Sequence, residues 1–254
     1  MPTPAHAAEP EILSFAPPYR RFEHADPTTV VGRPPRGRAL VWHLRDGNRQ
    51  RGEFEMLRTR NAATPLIVLL PPASEIRETL PLIHGIPALR PRAVLPGPSL
   101  GTPRYVKHVL SSPPPSVAEA AANYLARRGL LEDARVQREV KRIFELATEV
   151  SCISELARRM YTSRRTLGRH FSSTGLPVPS HWLQFARLLH VCIQLQSERV
   201  PVSSAAFRAG YPDGFTLSNQ MKRLIGVRPS EVRGLLGWEW VIEAWLEREG
   251  LGEG

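Results

Sequence analysis

The residues best equipped for chemistry in this sequence are arginines, and they are concentrated in one part of the chain. Residues 153–233 hold twelve arginine or lysine residues against four acidic ones, a net charge of +8, and the whole chain carries +10. Of the 34 basic residues, 31 are arginine, whose guanidinium group donates paired hydrogen bonds to phosphate or guanine. A GC-rich genome would explain the arginine content but not its clustering. The clustering predicts a polyanionic partner, nucleic acid first and an acidic membrane surface second.

The chain lacks the residue patterns that catalysis and metal binding require. It has no glycine-rich phosphate loop, no histidine and carboxylate residues at metal-ligand spacing and no nucleophile elbow. Eight histidines are scattered, and the two cysteines, Cys152 and Cys192, stand forty positions apart, which excludes a disulfide framework and a zinc finger. We therefore predict no catalytic residue, no metal site and no cofactor, and we do not expect an enzyme.

Residues 153–175 have the pattern of a short helix, a tight turn and a capped basic helix. An apolar stripe over two turns is formed by Ile153, Leu156, Ala157 and Met160. The stripe breaks at Tyr161, and Ser163 is well placed to cap the second helix, which Gly175 ends. Its inward side consists of Leu167 and Phe171, and its outward side of Arg164, Arg165 and Arg169. This arrangement is typical of a helix-turn-helix.

The same arrangement recurs about fifty residues further along the chain. A second apolar stripe is formed by Val202, Ala205 and Ala206. Gly210 then occupies the turn, and Leu217 and Met221 repeat the inward positions of Leu167 and Phe171 fifty residues later. Two copies of one unit are a far more specific signal than one copy alone.

An amphipathic stretch over residues 180–197 follows Pro179 and joins the two copies. As a helix, these residues would extend about 27 Å at 1.5 Å per residue. Successive major grooves on one side of B-DNA are about 34 Å apart. A helix of this length would let one chain present two recognition helices to adjacent major grooves.

Two sets of residues carry a family resemblance. In the first half they are Ile153-Ser-Glu-Leu-Ala157, Ser163-Arg-Arg-Thr-Leu167, Phe171 and Gly175, with Arg187-Leu188 in the linker helix. In the second half they are Ala209-Gly-Tyr-Pro-Asp213, Lys222-Arg223, Gly226 and Pro229-Ser-Glu-Val-Arg233. With these, residues 134–236, about 40% of the chain, resemble the DNA-binding domain of the AraC/XylS family of bacterial transcription regulators. The resemblance implies a double helix-turn-helix, sequence-specific promoter binding and control of transcription, often through contact with RNA polymerase.

The resemblance also implies roles for individual residues. The positions that match base-reading residues are Arg165, Arg169, Phe215, Thr216 and Asn219. The positions expected at DNA phosphates are Ser163, Arg164, Ser218, Lys222 and Arg223. Alternatives stay open, since Arg165 and Arg169 would also suit phosphates and Phe215 would also suit the core. Arg187 is expected to be structural, with a buried ion pair and a DNA contact as equal alternatives.

The sequence departs from the family pattern at four positions. Tyr161 replaces the usual turn glycine, which costs on the order of 1–2 kcal/mol if the turn still needs a positive φ. Gly168 stands where a family member often presents a base-reading side chain. Met221 replaces a phenylalanine, a tolerable change in the core, and Asn219 replaces an arginine, which changes the expected base preference.

The rest of the chain gives weaker signals. We predict a flexible, proline-rich leader over 1–36, a small, mainly parallel α/β module over 37–115 and a connecting helix over 116–133, with the boundary between domains somewhere in 111–134. The predicted strands are 39–44, 66–70 and 92–95, with helices over 48–60 and 74–82. An amphipathic helix with an acidic side occupies 237–254, and we expect it to pack on the protein, with a dimer or partner contact as the alternative.

The α/β module faintly resembles a receiver domain. The central strand ends in Pro71-Pro72, however, and not in the phosphate-accepting aspartate of a receiver. We therefore expect a phosphate-independent module that dimerises or docks a signal.

These observations predict a cytoplasmic, nucleoid-associated bacterial transcription regulator that binds double-stranded DNA. Two alternatives stay open. The protein is a low-specificity architectural DNA-binding protein, or it is an adaptor that mainly binds another protein through its N-terminal module. RNA polymerase and a second copy of the chain are the expected protein partners. No membrane contact is expected, because the longest apolar run is only residues 66–70, and the sequence identifies no small-molecule effector.

Overall fold

A computed structural model of the protein describes residues 12–45, 50–198 and 200–252, which fold as two compact units. The chain passes from the first unit to the second between Leu110 and Ser111. Within the described residues, the first unit contains a five-stranded sheet and the second is built from helices. This order confirms the predicted fold class, and the boundary lies at the start of the predicted interval 111–134.

The described strands of the first unit form one mixed sheet. They are β1 (Ile12–Phe15), β2 (Glu23–His24), β3 (Ala39–His43), β4 (Leu66–Leu70) and β5 (Ala93–Pro96). Their order across the sheet is β2-β1-β3-β4-β5. Strands β3, β4 and β5 are parallel, so Val41 lies beside Ile67 and Ile67 beside Ala93. Strand β1 runs antiparallel to both of its neighbours.

Continuous apolar runs in β3 and β4 place these strands at the centre of the sheet. Residues on both faces of β4, such as Ile67 and Val68, are fully buried, as expected for parallel strands covered on both sides. The described helices of this unit are α1 (Pro27–Val31), α2 (Arg51–Arg58), α3 (Ile76–Leu89), α4 (Gly97–Leu100) and α5 (Pro103–Ser111), with a 3-10 turn at Ala73–Glu75. Helices α2 and α3 contribute Leu57 and Ile86 to one core cluster with Leu66.

The structure corrects three predictions for this unit. Residues 12–31 of the predicted flexible leader form β1, β2 and α1, while residues 1–11 lie outside the described ones. The sheet is mixed where a mainly parallel one was predicted. Its strand order agrees with a receiver-like 2-1-3-4-5 sheet, but the direction of β1, which is antiparallel to both of its neighbours, does not. The predicted helices over 48–60 and 74–82 correspond to α2 and α3, although residues 46–49 are not described.

Helices account for the described secondary structure of the second unit. They are α6 (Val117–Arg127), α7 (Ala134–Leu146), α8 (Ile153–Arg159), α9 (Arg164–Ser173), α10 (Pro179–Ser197), α11 (Val202–Arg208), α12 (Gly214–Ile225), α13 (Pro229–Val232) and α14 (Glu239–Arg248). The predicted linker helix over 180–197 is therefore confirmed as α10, which has 19 residues.

Helix α10 forms the centre of the second unit, and an aromatic cluster surrounds it. Trp182 and Phe185 on this helix are fully buried. The Trp245 ring of α14 stacks on Phe185 with 4.2 Å between centroids and meets Trp182 edge-on at 4.6 Å. Phe171 of α9 meets the other side of Trp182 at 6.2 Å. Such aromatic pairs add about 0.5–1.5 kcal/mol each beyond the area that they bury. The cluster therefore joins α9, α10 and α14 into one core.

Helices α6 and α14 are integral parts of the second unit. The Tyr124 hydroxyl of α6 donates to Glu243 of α14 over 2.6 Å, and Arg128 donates to both oxygens of the same carboxylate, over 2.7 and 3.0 Å. Burial, together with the negative charge of Glu243, raises the pKa of the Tyr124 phenol well above its usual value. The predicted connecting helix over 116–133 is thus a packed element. The acidic side of the C-terminal helix is also not free, because Glu243 is held by α6.

Candidate nucleic-acid interface

The first predicted helix-turn-helix unit contains a strained turn and, after it, the capped helix α9. Tyr161, in the turn after α8, has a φ of 53° and a side chain that is 99% exposed. The Thr162 amide donates to the Ala157 carbonyl over 3.0 Å, the six-to-one bond that is typical of a left-handed helix end. Ser163 then caps α9, since its hydroxyl oxygen accepts from the Thr166 amide over 3.0 Å. The turn therefore has the backbone geometry that normally favours glycine.

Helix α9 has a buried side and a cationic exposed side. Leu167 and Phe171 are fully buried, as predicted. Arg165 and Arg169 lie one turn apart on the exposed side, and among the described residues neither guanidinium takes part in a hydrogen bond or ion pair. Arg164 is also exposed and donates to the Ser154 hydroxyl of α8 over 3.5 Å. Arg165 and Arg169 are therefore directed to solvent on adjacent turns of a rigid helix.

The second unit repeats this backbone with different side chains. Its turn residue Gly210 has a φ of 78°, and the Tyr211 amide donates to the Ala206 carbonyl over 2.9 Å. Asp213 caps α12 by accepting from the Thr216 amide over 2.6 Å. Hydrogen bonds from Thr216, through its amide first and its hydroxyl second, lower the pKa of the Asp213 carboxyl. Both recognition helices thus begin at a side-chain cap directly after a left-handed turn.

The exposed side of α12 carries mainly neutral groups near its start. Phe215 is 75% exposed, so its ring does not pack in the core as the alternative prediction required. Asn219 is exposed one turn further along the helix, while Thr216 and Ser218 are half-buried. The inward pair, Leu217 and Met221, is fully buried. The structure therefore presents Phe215 and Asn219 as the counterparts of Arg165 and Arg169.

Two cations stand near the end of α12. Lys222 is exposed. Arg223 is also exposed, and it donates to the side-chain oxygens of Gln184 on α10 and Gln220 on α12, each over 2.9 Å. Arg223 therefore links the second recognition helix to the linker helix, a contact that the sequence did not indicate.

Arg187 has the predicted structural role, but it forms no ion pair among the described residues. Its Nε donates to the Ala147 carbonyl over 2.9 Å, and its Nη2 donates to the Val150 carbonyl. Both carbonyls follow α7, at a helix end where a cation is favourable. Arg187 thus joins α10 to the segment that leads into α8, with backbone carbonyls in place of the ion pair that was one alternative.

The sequence analysis also missed a link between α9 and α7. His170 Nδ1 lies 2.8 Å from Glu139 Oε1, and both side chains are largely buried. The signal was weak, because a histidine and a glutamate 31 positions apart show no local pattern. This contact holds α9 against α7, on the side of α9 next to its exposed arginines.

Comparison with known proteins identifies a helix-turn-helix domain in this region. The model of a family described as a helix-turn-helix domain matches residues 156–234. The match supports a DNA-binding domain of AraC type in these residues, and with it a DNA-binding transcription regulator. No curated protein shows a significant match to the chain. Within the described residues, no helix combines the length and the apolar character needed to cross a membrane, and no cluster of three or more His, Cys, Asp or Glu side chains could hold a metal.

Proposed function

We propose that the protein is a sequence-specific transcription regulator that inserts α9 and α12 into adjacent major grooves of DNA. The observation that carries this proposal is the repeat of one geometry in both units. Each recognition helix follows a left-handed turn, starts at a side-chain cap and buries two residues on one side. Each directs a pair of side chains one turn apart to solvent, which is how helix-turn-helix proteins address base edges.

The linker helix supports simultaneous insertion. Helix α10 has 19 residues, or roughly 28 Å at 1.5 Å per residue, against about 34 Å between successive groove faces. Its packing against Trp245, together with the bonds of Arg187 and Arg223, limits bending between the two units. A rigid connection of this length reduces the entropy that is lost when both helices bind.

We assign base reading to the exposed sides of the two helices. Arg165 and Arg169 each have the donor fork that guanine O6 and N7 accept. Asn219 can pair with the edge of an adenine, and the exposed ring of Phe215 can pack on a thymine methyl group. Thr216 lies beside them at the start of α12 and completes the proposed reading surface.

We assign DNA phosphates to the residues at the margins of these sides. Arg164, Lys222 and Arg223 supply positive charge, and Ser163 and Ser218 supply hydroxyl groups. Ser163 already accepts the Thr166 amide, but its hydroxyl proton can still be donated. Such contacts fix the register of the protein on DNA and carry no sequence information.

The roles of the first unit and of the protein partners are also proposals. We propose that the α/β unit sets the oligomeric state or docks a signal, because the central strand β4 is followed by Pro71-Pro72 without a phosphate-accepting aspartate. A regulator of this kind acts on nucleoid DNA in the cytoplasm and contacts RNA polymerase. We propose that location and that partner.

One observation favours low-specificity, architectural binding as a second candidate. Gly168 lies between Arg165 and Arg169 without a side chain, and a Cβ built there would meet nothing within 4 Å. The first helix therefore offers fewer base-reading groups than its length allows.

Binding measured on a selected duplex and on random duplexes, over a range of salt concentrations, separates the two candidates. The regulator predicts a specificity ratio of at least about 10³, and an architectural protein predicts a ratio near one. The double variant Arg165→Ala/Arg169→Ala should lose most of that ratio, whereas Arg248→Ala, an exposed arginine on α14, should keep it. A ratio near one for the wild type would overturn the proposed function.

A further inference from the structure

An open groove lined with arginines lies beside the first recognition helix. It has a volume of about 320 Å³ and is bounded by α7 and by the end of α8 with its turn. Its lining includes Arg135, Arg138, Glu139, Arg142, Arg159 and Tyr161. The three arginines of α7 stand at helical spacing on one side of that helix, and Arg159 faces them from α8.

The side chains that line the groove are mainly cationic, although three of its arginines pair with a glutamate: Arg135 with Glu139, Arg142 with Glu145 and Arg159 with Glu149. Four guanidinium groups and one carboxylate line it. The side chains of Arg135, Arg142 and Arg159 are 59%, 49% and 46% exposed, whereas that of Glu139 is 13% exposed. The negative charge is therefore shielded and the positive charges face solvent.

The guanidinium groups of the groove are free to change partners. Arg142 pairs with Glu145 over 2.8 Å and Arg159 with Glu149 over 3.3 Å, and in both pairs the two side chains are well exposed. Exposed pairs of this kind contribute little, because water and salt screen them. Arg138 forms no ion pair among the described residues. An incoming phosphate can therefore replace these carboxylates at small cost.

Tyr161 gives a second, independent observation. Its ring is 99% exposed, so it contributes nothing to the core, and its φ of 53° lies where a non-glycine residue is strained. Strained backbone that packing does not explain occurs most often at functional sites. A tyrosine hydroxyl is also one of the groups that donate to DNA phosphates.

The groove is continuous with the recognition helix. Tyr161 precedes α9 by three residues, and Glu139 of the groove bonds to His170 of α9 over 2.8 Å. His170 follows Arg169, which lies on the side of α9 assigned to the DNA groove. The groove lined by the α7 arginines therefore lies next to α9, the helix proposed to enter the DNA groove.

We propose that this groove binds backbone phosphates of the DNA that flanks the site read by α9. Arg138, Arg142 and Arg159 pair with phosphate oxygens, and the Tyr161 hydroxyl donates to one of them. The groove is open and its lining is mostly charged, which suits a strand that passes through it better than a small ligand that needs enclosure. This inference rests on the proposed function and adds a contact outside the two recognition helices.

The test compares two duplexes bound by the full chain. Both carry the highest-affinity site from a random library, but one ends at the first half-site and the other extends about six base pairs beyond it. On the extended duplex, Arg138→Gln/Arg142→Gln should bind at least tenfold more weakly at low salt and lower the salt slope by about two units, because each lost phosphate contact removes about 0.9. On the short duplex the same variant should match the wild type.

Two further variants keep the test specific. Arg77→Gln/Arg248→Gln removes the same charge from exposed sites elsewhere and should bind both duplexes like the wild type. Tyr161→Phe keeps the ring and the backbone, and it should weaken binding a few-fold on the extended duplex alone. The base preference at the first half-site should be unchanged in all of these variants.

Three results would overturn the inference, and each differs from a failure of the proposed function. They are equal losses on both duplexes, no loss on the extended duplex, and saturable binding of inorganic pyrophosphate without DNA that Arg138→Gln/Arg142→Gln abolishes. The last result would assign the groove to a free anion. If the wild type binds neither duplex specifically, the proposed function itself fails.

Discussion

The two proposed helix-turn-helix units share a backbone and differ in the chemistry of their surfaces. Both turns have a positive φ, 53° at Tyr161 and 78° at Gly210, and both recognition helices begin at a side-chain cap. The first unit then exposes two arginines, whereas the second exposes a phenylalanine and an asparagine at the corresponding positions.

This difference separates what a repeat must keep from what it can change. The buried pairs and the turn geometry are kept, because they pack α9 and α12 into the core of the second unit. The side chains exposed to solvent carry fewer packing constraints and can differ. We infer that the first unit reads guanine through charged groups and that the second reads bases through neutral groups, while both units also carry cations for DNA phosphates.

The largest expected effect tests whether the two cores are equivalent. Leu167→Ala and Leu217→Ala each remove a fully buried side chain at equivalent positions, and each should cost about 2–5 kcal/mol of stability. Urea unfolding followed by the fluorescence of tryptophans such as Trp182 measures this. Ser172→Ala, at an exposed site on α9, should change stability by no more than about 0.5 kcal/mol. A cost below about 1 kcal/mol for only one of the two leucines would show that the cores differ.

The next effect separates charged from neutral reading. Arg169→Ala and Asn219→Ala should each cost about 1–3 kcal/mol of specific binding and relax the preference at one or two base pairs. Lys222→Ala, at a proposed phosphate contact, should instead weaken binding to all sequences alike and reduce the salt slope by about one unit. Fluorescence anisotropy on the selected duplex and on random DNA measures both quantities. Equal losses on the two DNAs would reduce Arg169 to a phosphate contact.

The two turns should respond to substitution in opposite directions. Tyr161→Gly should stabilise the protein by about 1–2 kcal/mol, because glycine adopts a positive φ without strain. Gly210→Ala should destabilise it by a similar amount, and for conformational reasons alone, since a Cβ there meets nothing within 4 Å. Thermal unfolding measures both changes. Gly168→Ala is the matched control. A Cβ at Gly168 also meets nothing within 4 Å, but the backbone there is ordinary helix, so this substitution should stabilise the protein by about 1 kcal/mol. Loss of stability in Tyr161→Gly would contradict the strain at this turn.

The smallest effect distinguishes the two caps by pH. The pKa of Asp213 is lowered by the hydrogen bonds from Thr216, so its cap contributes fully above the usual aspartate pKa of about 3.9 and is lost as the pH falls through its own lower pKa. The Ser163 cap does not titrate. In an NMR titration from about pH 6 down to about pH 2, which covers the usual aspartate pKa and the range below it, the Thr216 amide should shift and the Thr166 amide should not. An equal response of both amides would contradict the assignment.

The sequence predicted the elements whose signals are local. The spacing of Leu167, Phe171, Leu217 and Met221 defined both recognition helices, and the run Leu66–Leu70 defined a buried strand. Strand β1 was missed, because four residues are too few to show a period and their hydrogen bonds come from β3.

Contacts between distant segments could not be predicted in the same way. Arg187 bonds to carbonyl groups 40 and 37 positions away, and backbone carbonyls carry no sequence signal. Glu243 meets Arg128 across 115 positions, so the acidic side of α14 looked free in the sequence. The exposure of Phe215 also depended on the packing of α12, which composition does not give.

The most direct test of the account is selection of bound DNA from a random library with the full chain, with Arg165→Ala/Arg169→Ala and with Asn219→Ala. The account predicts a bipartite motif for the wild type, with centres about 10 base pairs apart and guanines in one half. The double arginine variant should lose the guanine half only, and Asn219→Ala should blur the other half only. A motif with a single half-site, or loss of both halves in either variant, would contradict two units that read DNA by different chemistry.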